Sequence, residues 1–292
     1  MSSSQFAQIP EVILNDQTLI PQLGFGTYKV PSEDAYHVVS EALEVGYRLI
    51  DTAAFYGNEE GVGRAIRDSG IPRNEIYVTT KLWNTEQGKD KTTAAFHASL
   101  ERLGLDYIDL YLIHWPQPKV DKYLETWEEM ITLRDTDELR SIGVSNFTKS
   151  TLERIISETG VSPVLNQIEL HPGFSQSDMR EWNSSLGIRT QAWSPLARGA
   201  ALDAAPIASL AEKYGKSPAQ IVLRWHIQMG NLVIPKAMHR SYMQENFTIF
   251  DFWLTDEELA SITSLDRFDG RMSKDPDEFN SCLLYTSPSP RD

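Results

Sequence analysis

Several things are scarce in this 292-residue sequence. It has one cysteine, so no internal disulfide can form, and no Cys/His spacing resembles a zinc site, so no metal is expected. No apolar run approaches the roughly 18 residues that span a bilayer. The opening MSSSQFAQIP lacks the basic-then-apolar order of a secretory signal. Positive charge is also short: 27 Lys and Arg face 41 Asp and Glu, for a net charge of −14. Non-specific binding to nucleic acid or an anionic membrane needs a basic footprint, so neither partner is expected. An anionic ligand must be caught by a local basic patch. Glycine-rich phosphate loops are missing too. Gly24-Phe25-Gly26 has Lys29 where a dinucleotide fingerprint needs its third glycine, and Gly61-Val62-Gly63 is followed by Ile66. With no interface signature in view, a monomer in a reducing, cytoplasmic setting is the simplest expectation.

What is present is the material of a folded core: 41% hydrophobic and 23% charged residues. Residues 282–292 (CLLYTSPSPRD) stand apart. Their Ser/Pro composition matches nothing upstream, and they resemble the translation of a sequencing-library adaptor. They are read as a disordered scar and excluded from the fold, leaving residues 1–281 as one domain.

Short β-rich segments alternate with amphipathic helical patterns. Strands are predicted at 23–27, 48–52, 76–81, 107–114, 141–145, 164–169, 188–193 and 232–235. Several are continuous apolar runs, as strands buried on both faces should be. Helices are predicted at 34–45, 91–103, 123–134, 148–157 and 217–229; the first places Ala35, Val38, Val39, Ala42 and Val45 on one face. Strand–helix alternation implies parallel pairing with crossover helices, and this many units in one chain match a closed (β/α)8 TIM barrel. Ahead of it, residues 12–14 and 19–20 flank Asn15-Asp16-Gln17 as a hairpin placed to plug the N-terminal end. After it, Thr255 with Glu258 marks the start of a C-terminal helix, followed by an irregular loop.

Barrels of this kind carry their chemistry at the C-terminal ends of the strands. Those ends hold Asp51, Lys81 and His114, with Tyr56 close behind Asp51. A free tyrosine has a pKa near 10, too high for efficient proton donation at neutral pH. A nearby Lys81 ammonium is expected to lower it, Asp51 to keep that ammonium charged and oriented, and His114 to hydrogen-bond a substrate oxygen. The set suits protonation of an oxygen as negative charge builds on it, as in carbonyl reduction.

The string Gly46-Tyr47-Arg48-Leu49-Ile50-Asp51-Thr52-Ala53, followed by Tyr56, Asn58 and Glu59, resembles the aldo-keto reductase signature. So do Thr80-Lys81-Leu82-Trp83, the run from Asp106 to Pro116, Gly143-Val144-Ser145-Asn146-Phe147, Asn166-Gln167-Ile168-Glu169-Leu170-His171-Pro172, Ser194-Pro195-Leu196 and Ile234-Pro235-Lys236. The series follows family order from about residue 12 to 280 and is most similar to the prokaryotic branch of 2,5-diketo-gluconate and methylglyoxal reductases. The resemblance implies NADPH as cofactor, Tyr56 as general acid, Lys81 and Asp51 tuning it, and His114 orienting the carbonyl. It implies a cofactor bed that includes Gly26, Thr27 and Asp51. Ser145, Asn146 and Gln167 would hold the nicotinamide carboxamide and Trp193 would stack on its ring. Ser194, Leu196 and Arg198 would lie along the pyrophosphate, and Lys236, Ala237, Arg240, Tyr242, Glu245 and Asn246 at the adenosine end. Tyr28, Phe55, Trp83, His114 and Trp115 would line an aromatic pocket for a small carbonyl substrate.

One region departs from the family pattern. Ala237 stands where Ser or Thr is usual, and Tyr242 where an Arg grips the 2′-phosphate. Lys236, His239 and Arg240 are expected to compensate in part, so weaker discrimination against NADH is predicted. Two other functions compete: a cofactor-binding regulatory protein that keeps the fold without turnover, and a barrel hydrolase using Asp51 and Glu169 as paired carboxylates. His171 and His226 are read as structural, His37 and His97 as helix-surface residues, and residues 135–138 as a solvated helix end.

Overall fold

The computed structural model describes residues 9–280; the proposed scar at 282–292 lies outside the described residues. Its first elements are an antiparallel hairpin, β1 (Glu11–Ile13) and β2 (Leu19–Pro21). Asp16 in the turn accepts hydrogen bonds from Thr18 and from the Ser141 hydroxyl (2.6 Å), which ties the hairpin to the base of the sheet that follows.

That sheet has eight strands in sequence order, every neighbouring pair parallel. They are β3 (Phe25–Gly26), β4 (Leu49–Asp51), β5 (Tyr77–Leu82), β6 (Ile108–Ile113), β7 (Leu139–Ser145), β8 (Leu165–Glu169), β9 (Arg189–Trp193) and β10 (Leu232–Val233). The first and last strands meet through a parallel bridge between Leu23 and Val233. The Gly24 N–H donates to the Val233 carbonyl (2.8 Å) and the Gly26 N–H to that of Pro235 (3.1 Å). At this seam Gly26 is required, because a Cβ there would lie 2.6 Å from the Ile234 carbonyl oxygen. The barrel is closed, as the alternation predicted.

Side-chain alternation explains the layers. Leu49, Tyr77, Leu110, Leu112, Leu165 and Leu232 point inward and pack with Leu14 and Ile20 of the hairpin, which therefore does plug the barrel. Their sequence neighbours Ile50, Val78, Tyr111, Ile113 and Val233 point outward into the larger core under the helices. Each such side chain contributes roughly 1.5–3 kcal/mol of burial.

The helices are α1 (Ser32–Val45), α2 (Glu59–Asp68), α3 (Lys89–Leu103), α4 (Tyr123–Arg134), α5 (Lys149–Thr159), α6 (Ser177–Ser185), α7 (Ala205–Tyr214), α8 (Pro218–Gln228), α9 (Arg240–Phe247) and α10 (Asp256–Thr263). The predicted face of α1 is buried, and Thr255 and Glu258 form the predicted capping box of α10, a device worth about 1 kcal/mol. The sequence reading did not find α2, α6, α7 or α9. In α2 the reason is visible: Gly61 and Gly63 argue locally against a helix. Gly63 is kept because a Cβ there would fall 1.8 Å from the Leu103 carbonyl oxygen, at the contact with α3. Among the described residues no helix is long and apolar enough to cross a membrane.

Candidate active site

The inward register continues past the apolar barrel layers and changes chemistry at the strand ends. Stepping by two, Leu49 leads to Asp51, Tyr77 to Lys81, Leu112 to His114, and Leu165 to Gln167 and Glu169. Three of the four candidate catalytic side chains therefore emerge on one floor. The fourth, Tyr56, ends a short turn of residues 54–56 that folds back against β5, with Gly57 left-handed (φ 67°) behind it.

The Lys81 ammonium is fully buried and joins the group. It donates to Asp51 Oδ1 (2.6 Å), the Thr52 carbonyl (2.8 Å) and Tyr56 Oη (3.4 Å). Asp51 Oδ2 accepts from Gln167 Nε2 (2.7 Å), which also donates to Gln191 Oε1 (2.7 Å). The Tyr56 ring meets His114 edge-on at 5.7 Å and lies 5.1 Å from Tyr28. His114 Nδ1 is buried with no hydrogen-bond partner among the described residues, and His114 borders the cleft.

One expectation needs correction. Tyr56 is not brought down toward neutrality: burial first, then the charges of Asp51 and Tyr28, push its phenol well above the ordinary 10. An ammonium at 3.4 Å favours a phenolate by ~5 kcal/mol at an effective dielectric of 20. The Asp51 charge opposes that field, and desolvation, the largest contribution, decides the direction. Burial likewise pushes the Asp51 carboxyl up and the Lys81 ammonium down, against their mutual attraction. His114 is held well below its ordinary 6.5 by burial and by the Lys81 charge, so its ring is neutral. The floor thus presents a protonated phenol and a neutral imidazole at physiological pH.

A cleft of about 450 Å³ opens above this floor, bordered by Asp51, Tyr56 and His114. Gly26 and Tyr28 form one wall; Ser145, Asn146, Gln167 and Trp193 form another; Ser194, Leu196, Arg198 and Lys236 extend the cleft outward. Several of these groups hold one another. The Ser145 hydroxyl donates to the Gln167 carbonyl (2.8 Å), and Asn146 Nδ2 to the His114 carbonyl (2.9 Å). Trp193 Nε1 donates to Asn146 Oδ1 (2.9 Å), which fixes the plane of the indole. Ser194 and Arg198 are both left-handed (φ 51°), and His226 lies 3.1 Å from the carbonyl of the intervening Pro195.

Thr27 is buried behind the wall and donates to the Asp51 carbonyl (3.0 Å). Phe55 stacks on Trp83 at 3.9 Å, and Trp83 meets His114 edge-on at 5.2 Å. Trp115 borders the cleft and contacts Phe279 (4.6 Å). The remaining candidates do not border it. Ala237 and Asn246 are buried, and Glu245 accepts from Ser217 Oγ (2.5 Å). Arg240 is paired with Glu44 (2.6 Å), and Tyr242 is exposed beside His239. The carboxylates of the hydrolase alternative are already engaged: Asp51 with Lys81 and Gln167, Glu169 with the backbone N–H groups of Met272 and Ser273.

Sequence reasoning missed Ser273 and Phe279, which come from an irregular segment with no periodicity to mark them. It also missed the work of Asn58, although Asn58 stood in a quoted string. Its Nδ2 donates to the Thr27 and Val30 carbonyls and its Oδ1 accepts from Thr52, so it joins the Tyr28 loop to the Tyr56 turn.

Comparison with known proteins agrees with this geometry. The model of the aldo/keto reductase family matches residues 22–267. An aldo-keto reductase of Mycolicibacterium smegmatis is 50% identical over 271 residues, 93% of this chain and 98% of the relative. The methylglyoxal reductase DkgA of Escherichia coli is 49% identical over 273 residues, 92% of this chain and 98% of the relative. Among solved structures, a variant of Gox0644 in complex with NADPH is 44% identical with a TM-score of 0.90, covering 93% of this chain and 99% of that one. The chain belongs to the aldo/keto reductase family.

Proposed function

We propose that this protein reduces aldehydes and ketones to alcohols with NADPH, acting on small dicarbonyls, keto-sugars and aromatic aldehydes. The observation that carries the reading is the buried Lys81 ammonium, 2.6 Å from Asp51 and 3.4 Å from the Tyr56 phenol, beneath a cleft that His114 also borders. Relatives support the substrate class and the cofactor: one is named a methylglyoxal reductase, and one solved relative is complexed with NADPH.

The cleft residues fit a dinucleotide. The indole of Trp193, held in plane by Asn146, offers a face for a nicotinamide ring, and Arg198 and Lys236 supply cations farther out for phosphates. Ser145, Asn146 and Gln167 would hold the carboxamide. Gln167 Nε2 is taken by Asp51 and Gln191, so its side-chain oxygen Oε1 is the group that would accept an amide N–H. Lys236, Arg240, Glu245 and Asn246 would hold the adenosine end. The bound cofactor supplies a hydride for the carbonyl carbon.

The chain's own residues manage the oxygen. A neutral His114 ring donates one hydrogen bond and sets the carbonyl's orientation. Tyr56 keeps its proton in the resting site and gives it up as charge grows on the substrate oxygen. Lys81 then faces a forming phenolate and stabilises it, at no cost in reorganisation because Asp51 and Thr52 already hold the ammonium. We take residues 1–281 as one barrel domain working as a monomer in the cytoplasm.

Oxidation of NADPH and of NADH by the purified protein, with methylglyoxal and with an aromatic aldehyde, tests the reading. Turnover with both substrates is expected, with NADPH preferred. Cofactor binding without turnover of either substrate would favour the regulatory alternative.

A further inference from the structure

After α10 the chain turns back to the mouth of the barrel with few apolar anchors. Within residues 271–280 only Pro276 and Phe279 are buried. Beneath this strap is a second cavity of about 380 Å³, bounded by Phe147, Ile168 and Met179 on the barrel side and by Arg271, Pro276 and Asp277 above. Besides Pro276, Phe279 and the Arg271 guanidinium 4.8 Å from the Phe174 ring, the strap is held by polar ties.

The buried tie is Glu169, the last residue of β8, which is 1% exposed. Its Oε1 accepts the Met272 N–H (2.6 Å) and its Oε2 the Ser273 N–H (3.1 Å), with His171 Nε2 3.3 Å from Oε1. Successive backbone amides thus converge on one carboxylate. A charged acceptor shared by such amides is the strong form of this bond. The other ties are exposed: Thr148 to Asp277 (3.0 Å), the Lys119 N–H to Asn280 (3.0 Å), and the Lys119–Glu278 ion pair. Ser273 borders the candidate active cleft, and Phe279 packs on Trp115, itself a cleft residue.

We propose that Glu169 is a positioning residue for the substrate side of the cleft, seating the strap through the Met272 and Ser273 amides so that Ser273 completes the wall and Phe279 backs Trp115. A glutamine at this position keeps the shape but offers one acceptor and turns an amide N–H toward a backbone N–H. The strap then loses its buried anchor while β8 keeps its fold. The kinetic consequence rests on the reductase reading; the structural consequence does not.

The experiment compares Glu169→Gln, Glu169→Asp and Glu278→Gln with the parent chain by amide hydrogen exchange and by steady-state reduction of an aromatic aldehyde. For Glu169→Gln, exchange at Met272 and Ser273 should quicken about tenfold or more, and KM should rise about tenfold with kcat within about threefold. Glu169→Asp keeps the charge and both acceptors and should recover part of each effect. Glu278→Gln breaks only an exposed tie and should move neither by more than about twofold. If Glu169→Gln does not fold, Ser273→Pro, which removes one donor without touching β8, must quicken exchange at Met272 in its place. Unchanged exchange at these amides overturns the proposal, as does a fall in kcat with KM constant. A parent chain that turns over nothing would defeat the reductase reading and leave the exchange result to decide the role of Glu169.

Discussion

Two ion pairs with the same 2.6 Å separation sit toward opposite ends of the proposed cofactor site, and they are not equivalent. Lys81 and Asp51 have side chains 0% and 2% exposed; Arg240 and Glu44 have side chains 42% and 65% exposed. The first pair lies in a low-dielectric interior where neither charge can be left alone, and each partner has further hydrogen bonds. The second is in water and screened by salt, free to exchange for another anion. The comparison teaches that contact distance says little about what an ion pair does. One end of the site is locked before any ligand arrives, and the other is adjustable.

The sharpest way to test the locked end is to remove its proton. Tyr56→Phe keeps the ring contacts with Tyr28 and His114 and deletes the hydroxyl. Turnover should fall by about 10²–10⁴-fold, the range of a general acid. Nucleotide affinity, measured by fluorescence titration, should stay within about twofold, because the phenol is assigned no role in holding the dinucleotide. An equal loss of both would end its assignment as the acid.

The pairs themselves come next. Lys81→Met strands the Asp51 carboxylate in the interior and should cost about 3–5 kcal/mol of stability in denaturant unfolding. Arg240→Met, at the same ionic separation, should cost about 0–1 kcal/mol. Comparable losses would erase the distinction between the two ends.

Between them lies a third region, the loop after β9, held from below by His226. Its Nε2 donates to the Pro195 carbonyl, and its Nδ1 accepts from Asn231 (3.3 Å). Burial pushes its pKa down to about 3 from the ordinary 6.5, against the opposing Pro195 hydrogen bond and with smaller downward pushes from His171 and Arg180. Between these values the unfolded chain binds a proton that the native chain does not. This contribution is therefore complete above pH 6.5 and is lost as pH falls toward 3, to a total of up to about 5 kcal/mol. Denaturant unfolding between pH 7 and pH 4 should show a slope that His226→Gln flattens. An unchanged slope would mean that the acid sensitivity arises elsewhere.

The same contrast explains what could be read from the sequence. The barrel was legible because buried parallel strands leave continuous apolar runs, and the floor because Asp51, Lys81 and His114 continue an inward period of two. The strap was not legible: Met272 and Ser273 are tied to Glu169, about a hundred positions earlier, and no local pattern records that tie. The direction of the Tyr56 shift was misread because it is set first by burial and then by the charge of Asp51 opposing that of Lys81, quantities that spacing does not contain. Asn58 was visible as a letter in a motif, but its task of joining two loops is visible only in three dimensions.

The adjustable end gives the smallest effect and the finest discrimination. Lys236, His239 and Arg240 were expected to compensate for Ala237 and Tyr242, but Arg240 is engaged with Glu44, and Ala237 is buried with no hydroxyl to offer. If the 2′-phosphate is held here, the carboxylate of Glu44 competes with it for the same guanidinium. Introducing Ala237→Ser together with Tyr242→Arg should tighten NADPH relative to NADH by about tenfold, the scale of one charge-assisted bond. Glu44→Gln, which adds no new contact and only releases Arg240, should shift the same ratio by about twofold to threefold, and less at high salt. Dissociation constants for both nucleotides, measured in low and high salt, separate the two cases. A ratio that ignores Glu44 but responds to the double substitution would place the phosphate nearer residues 237 and 242 than Arg240. A ratio that ignores both would put the 2′-phosphate outside α9 and remove the basis for treating that end as the adjustable one.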